Sequence, residues 1–130
     1  MSSVVFDASA VLAILNRERG HKVAERQFFG ATISAVNYGE VLKKTVEKGG
    51  SIGKTRLLLA KQDLAVIPFD VEHAVRAAEI YPTSKPHGLS FADRACMSLG
   101  LMLELPIVTA EEEMEKVDLP VKVKVIRKRH

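Results

Sequence analysis

The chain has 130 residues, 47% hydrophobic and 27% charged, with 19 basic against 16 acidic side chains and a formal net charge of +3. That length suits one domain with one core, spanning residues 1–130, and is too short for two ordinary domains. A mean hydropathy of +0.06 with so small a net charge excludes a disordered chain, and no apolar run approaches the roughly 20 residues that cross a bilayer.

Ser3 to Phe6 reads as a short buried strand that stops at Asp7. Ala8, Val11, Leu12 and Leu15 then recur at helical spacing up to a stop at Arg19-Gly20, and a second short helix carries Val23, Ala24, Phe28 and Phe29. Ala31 to Ser34 is a second strand. Ser34 caps a helix to about Lys48, with Tyr38, Val41, Leu42, Thr45 and Val46 on its inner stripe, ended by Gly49-Gly50. A helix from Ser51 to about Asp63, a strand from Ala65 to Phe69 and a helix from Val71 to Ile80 follow, the last with Val71, Ala74, Val75 and Ala78 inward. Tyr81 to Gly88, with two prolines, reads as a loop. Ser90 opens a helix to about Glu104, Pro106 to Val108 is a strand, a short helix starts at Ala110, and Val121 to Ile126 alternates as an edge strand. Strands alternating with helices predict an α/β fold around a mainly parallel sheet.

Charge and cysteine usage narrow the setting. Lys122, Lys124, Arg127, Lys128 and Arg129 crowd the last nine residues without an acid, so the basic surplus belongs to an edge or tail. These lysines guard an edge strand or grip nucleic-acid phosphates. The one cysteine, Cys96, cannot pair within the chain, and Met1 to Asp7 lacks the basic and apolar regions of a signal peptide. Both features predict a cytoplasmic protein with Cys96 in the core.

Parallel sheets gather chemistry at the carboxyl ends of their strands, so acids just beyond those ends come first. Four qualify: Asp7, Glu40, Asp93 and Glu111. Each has a plainer reading. Asp7 suits a helix N-cap, and Ser90 with Asp93 fits a capping box. Glu40 suits a solvated helix position, although the neighbouring Gly39 suggests that something approaches the backbone there. Thr109 with Glu112 would form a second box, leaving Glu111 without a capping duty. If the sheet brings the four together they repel one another, and a cation is needed. An all-oxygen set selects Mg²⁺ or Mn²⁺, which points to phosphoryl chemistry by a metal-activated water.

The segments Phe6-Asp7-Ala8-Ser9-Ala10, Asn37-Tyr38-Gly39-Glu40-Val41, Leu89-Ser90-Phe91-Ala92-Asp93 and Ile107-Val108-Thr109-Ala110-Glu111 resemble, in order and spacing, the PIN-domain ribonucleases, most closely the VapC toxins of prokaryotic toxin–antitoxin pairs. The resemblance covers essentially the whole chain. It implies a three-layer α/β/α sandwich, a divalent-metal site on Asp7, Glu40, Asp93 and Glu111, and endonucleolytic RNA cleavage. Glu111 departs from it, because most relatives carry Asp there. Thr109 matches a frequent site hydroxyl that orients a carboxylate or water. The resemblance further implies a homodimer and a cognate antitoxin, which would fit Phe28-Phe29 and Leu57-Leu58-Leu59 near the surface unless these are core. In the loop Tyr81 to Gly88, Lys85 and His87 read either as contacts for the RNA backbone or as solvated loop charges.

Other chemistries find no support. Gly49 to Thr55 lacks the spacing of a phosphate-binding loop, and the histidines at 21, 73, 87 and 130 form no zinc motif. A phosphoacceptor domain would need an acid pair at the first strand and a late lysine. A PIN-like binding module without catalysis remains as the alternative, on the strength of Glu111.

Overall fold

Val5 and Phe6 form strand β1 (Val5–Phe6), and both are fully buried although consecutive strand residues point to opposite faces. The sheet must therefore be covered on both sides. In the computed structural model, which describes residues 3–128, Phe6 joins a cluster with Val11, Phe28, Ile33, Val41 and Leu59, while Val5 joins one with Ile80, Cys96, Met97, Leu99 and Ile107. The first cluster is roofed by α1 (Ala8–Leu15), α2 (His21–Glu25), α3 (Ala35–Glu47) and α4 (Ile52–Lys61). Behind the second lie α5 (Val71–Glu79), the one-turn α6 (Tyr81–Ser84), α7 (Phe91–Leu103) and the one-turn α8 (Glu112–Glu115).

The remaining strands are β2 (Thr32–Ser34), β3 (Ala65–Ile67), β4 (Ile107–Thr109) and β5 (Val123–Val125). All pair in parallel, in the order β3-β2-β1-β4-β5, giving the three-layer α/β/α sandwich. The chain leaves β1 toward β2 and returns on its other side as β4. This reversal opens a crevice at the carboxyl ends of β1 and β4.

Two glycines set the spacing of these layers. A Cβ on Gly100 would lie 2.8 Å from Ile107 Cγ1, so only glycine lets α7 rest so closely on β4. Gly20 has φ +92°, and its Cβ would lie 2.7 Å from the Ile126 carbonyl oxygen. The C-terminal segment crosses the α1–α2 turn there, and Arg127 Nη1 donates to Glu18 Oε1 at 3.0 Å and to the Arg19 carbonyl at 3.1 Å.

Several local expectations are corrected. The loop expected at Tyr81 to Gly88 is α6 followed by a 3₁₀ turn, Lys85–His87. Its two prolines sit in first turns, where a missing N–H costs nothing. β3 stops at Ile67 rather than Phe69, since Pro68 has no amide to extend the ladder. On α3, Val41 and Asn37 are buried and Val46 is exposed; Phe29 is also exposed, whereas Phe28 is core. The largest departure is α5. It buries His73 and Ala77 against α7 and leaves Val71 79% exposed and Val75 46% exposed, the reverse of the expected face. Lys122 just before β5 and Lys124 within it are both exposed on this edge strand. Met1, Ser2, Arg129 and His130 lie outside the described residues.

Candidate active site

Asp7 follows β1 and is 2% exposed. It caps α1: Oδ1 accepts from the Ala10 amide at 2.9 Å and from Ser9 Oγ at 2.8 Å, while Oδ2 accepts a short hydrogen bond from Thr109 Oγ1. The cap and the site are thus the same carboxylate. Three of its roughly four lone-pair positions are used, which leaves one direction open. Burial pushes its pKa from 3.8 to about 6, against the pull of those three donors.

Thr109, fully buried at the end of β4, also accepts from the Glu111 amide at 3.0 Å. Ser9 Oγ accepts from the Ala110 amide at 2.9 Å, which stitches the turn after β1 to the turn after β4. In the sequence, Ser9 stands inside the first motif with no role of its own, and its two-residue offset from Asp7 is the signal that points to one. The expected Thr109–Glu112 box does not form. The residue preceding α8 is Glu111, with no side-chain cap, because the Thr109 hydroxyl is committed to Asp7 and to the Glu111 amide.

Asp93 does form the capping box with Ser90. Its Oδ2 accepts from the Ser90 amide at 2.9 Å, and its own amide donates to Ser90 Oγ at 3.1 Å. Across from it on α3, Asn37 Nδ2 donates to the Ala92 carbonyl at 3.0 Å and to Glu40 Oε1 at 3.4 Å, tying α3 to the start of α7. Asn37 is buried, and its Oδ1 is an acceptor with no partner among the described residues. Gly39 has open space where a Cβ would stand, so none of the described residues approaches the backbone there.

Asp7, Glu40, Asp93 and Glu111 line one cleft of about 210 Å³, together with Ser9, Asn37, Lys44 and Ser90. Their convergence shows in their acidities. The Glu40 pKa is raised by burial first and then by Asp93, against the Asn37 hydrogen bond and Lys44. Glu111 opens to solvent at the rim, yet the atoms packed around its carboxyl, followed by the charges of Asp93, Asp7 and Glu40, push it to about 7. The buried thiol of Cys96, beneath the cleft, is raised by burial and then by all four acids. Among the described residues no three His, Cys, Asp or Glu side chains close into a ready-made metal cage. The four acids share a cleft and a field, and their outer oxygens stay apart.

This donor set fits a hard divalent cation. It is all oxygen, its charges raise one another's pKa values, and Asn37 Oδ1 adds a buried, unpartnered acceptor. Lys85 and His87 do not line this cleft: Lys85 Nζ sits 6.0 Å from the Tyr81 ring centroid, and His87 Nδ1 is 3.5 Å from Glu113 Oε1.

No helix among the described residues is long and apolar enough to cross a membrane. No curated protein sequence matches the chain significantly. Among solved structures it is similar to a toxin–antitoxin complex from Klebsiella pneumoniae, with 18% identity and a TM-score of 0.78, over 98% of this chain and 100% of that one. A DNA-bound VapBC from Salmonella typhimurium matches with 15% identity and a TM-score of 0.69, again over 98% and 100%. A member of the VapBC family of toxin–antitoxin systems from Mycobacterium tuberculosis matches with 19% identity and a TM-score of 0.61, over 98% and 100%. At these identities the likeness establishes the fold, and the model of the PIN domain adds a match over residues 4–119. With that match spanning nearly all of the chain and both flanks of the crevice, this protein belongs to the PIN-domain family.

Proposed function

We propose that this protein is a Mg²⁺- or Mn²⁺-dependent endoribonuclease and the toxin of a toxin–antitoxin pair. The observation that carries this reading is the convergence of Asp7, Glu40, Asp93 and Glu111, from four separate segments, on one cleft at the switch point of a parallel sheet. The four acids would hold the ion. When bound, it supplies a more acidic water and neutralises charge on the phosphodiester.

The chain's own groups prepare that site. Ser9, Thr109 and the Ala10 amide hold the Asp7 carboxylate in one orientation, with one lone-pair direction left for a ligand. The Ser90 amide occupies one oxygen of Asp93 and fixes the direction of the other. Asn37, anchored on the Ala92 carbonyl, steadies Glu40. Glu111 gives up a proton near neutral pH before it can ligate, so its share of the binding grows as pH rises. Hydrolysis then forms one bond from the water oxygen to phosphorus and breaks one P–O ester bond, the departing oxygen taking a proton. Lys44 lines the cleft one turn beyond Glu40 and supplies a cation toward a substrate phosphate.

The same reading takes RNA as substrate, the cytoplasm as location and a cognate antitoxin as partner. Solved structures similar to this chain are described as toxin–antitoxin complexes, and an apolar groove lined by Ile14, Leu15, Phe28, Leu58 and Leu59 offers such a partner a surface. A homodimer is supported by the uncharged stripe of Val71, Ala74, Val75 and Ala78 left open along α5. Val75→Arg should then halve the mass seen by light scattering. The enzyme reading is tested by incubating the purified protein with mixed-sequence single-stranded RNA. Cleavage should require added Mg²⁺ or Mn²⁺, stop with EDTA, and vanish in Asp7→Asn; metal-bound protein that leaves the RNA whole favours the binding module instead.

A further inference from the structure

One surface beside the cleft has no part in holding the acids. Phe91 is the first residue of α7, directly after Ser90, which lines the cleft, and two residues before Asp93. It is 50% exposed, and Tyr81 at the start of α6 is 46% exposed. Phe69, just beyond β3 on the same edge of the sheet, meets the Phe91 ring edge-to-face with centroids 5.5 Å apart. His73 buttresses Phe69 in turn, at 5.8 Å.

Two cations are set on these rings. The Arg94 guanidinium lies 5.1 Å from the Tyr81 centroid and 5.6 Å from the Phe91 centroid, anchored by Nη1 donating to the Ala77 carbonyl at 2.9 Å. Its Nε is buried and finds no acceptor among the described residues. Lys85 Nζ stands 6.0 Å from the Tyr81 ring centroid. Tyr81, Lys85, Phe91 and Arg94 include no carboxylate, in contrast with the four acids next to them.

We propose that the Phe91–Tyr81 surface is a nucleobase-stacking subsite for single-stranded RNA, placed beside the scissile phosphate by the turn that carries Asp93. Half-exposed aromatic rings combined with fixed cations match a strand that offers bare base faces and phosphates together. A duplex hides its base faces, so the subsite selects unpaired RNA. A second copy of the chain is the other candidate occupant. The uncharged α5 stripe suits a self-contact better, because pairing copies through this surface would bury Lys85 and Arg94 against apolar rings.

The inference rests on the ribonuclease reading, and its test separates the two. Fluorescence anisotropy would compare a labelled single-stranded RNA with an abasic strand of the same length, for the wild type, Phe91→Ala, Phe91→Leu and Phe91→Trp, with Mn²⁺ titration and light scattering on each protein. Loss of one stacked base should weaken RNA binding roughly 5- to 150-fold in Phe91→Ala and in Phe91→Leu, which keeps the apolar contact with Phe69. Phe91→Trp should restore it, with abasic binding and Mn²⁺ binding unchanged throughout. Equal affinity of wild type and both truncations for RNA would overturn the subsite while leaving the nuclease reading intact. A change of oligomeric state in Phe91→Leu would overturn it in favour of a self-interface. A wild type that neither binds nor cuts RNA would remove the nuclease reading, and the subsite with it.

Discussion

Replacing Asp7 by Asn separates the stability of this fold from its chemistry. Asp7 is buried, and its pKa is about 6 in the fold against an ordinary value of 3.8. The sign follows from that order: the fold prefers the protonated acid, so this contribution to stability is full below about 3.8 and is lost as pH rises through about 6. The two-unit displacement corresponds to about 3 kcal/mol of destabilisation by the ionised group at pH 7.5. Asn keeps an oxygen for Ser9 and the Ala10 amide and turns its NH₂ toward Thr109 Oγ1, so the contacts survive and the charge does not. Some of the gain is given back, because hydrogen bonds to a carboxylate are stronger than those to an amide. A net stabilisation of about 1–3 kcal/mol remains for metal-free protein at pH 7.5, or about 4–11 °C in Tm for a chain of this length. The assay is thermal unfolding in EDTA across pH 4–8, with RNA cleavage in Mn²⁺ measured alongside. The difference between variant and wild type should shrink toward pH 4 while cleavage is absent at every pH. An Asn variant less stable than wild type at pH 7.5, or an advantage independent of pH, would refute the reasoning.

Thr109→Val keeps shape and removes the hydroxyl that serves Asp7 and the Glu111 amide; it should lower Mn²⁺ affinity or cleavage about 10- to 100-fold, read by calorimetry and rate assays. Gly39→Ala places a methyl in open space within α3 and should stabilise the protein by about 0.5–1 kcal/mol in urea unfolding; destabilisation would mean that the helix meets something there. Gly100→Ala drives a methyl to 2.8 Å from Ile107 Cγ1 and should cost about 1–3 kcal/mol by the same measurement, despite alanine's better helix propensity.

The parts of this molecule that follow from local pattern were legible in the sequence. Short apolar runs gave the strands, Ser34, Ser51 and Ser90 marked helix starts that each carry a side-chain cap, and the acids after the strands converge because a parallel sheet puts its carboxyl ends on one edge. What failed depended on which face the rest of the fold covers. The apolar stripe of Val71, Ala74, Val75 and Ala78 has perfect helical spacing, but α7 meets the other side of α5, where His73 and Ala77 lie. Spacing identifies a stripe and is silent about its cover. Ser9 and Asn37 were hidden for a related reason, since their partners Ala110 and Ala92 are far away in the chain and are reached through backbone groups that no residue type announces. For Asp7 and Asp93, the choice between cap and site was no choice: both residues use one part of the carboxylate for the helix and leave another part open to the cleft.

Whether these four carboxylates act together on a divalent ion is read by calorimetric titration of Mn²⁺ into wild type and Asp93→Asn. The Asn side chain still accepts from the Ser90 amide, so the start of α7 stays capped while one charge leaves the cleft. Binding to the wild type should be saturable and binding to the variant at least about 10-fold weaker, with the variant's melting temperature preserved. Equal binding by the two proteins, or none by the wild type, would contradict joint action and leave Asp93 a helix cap alone.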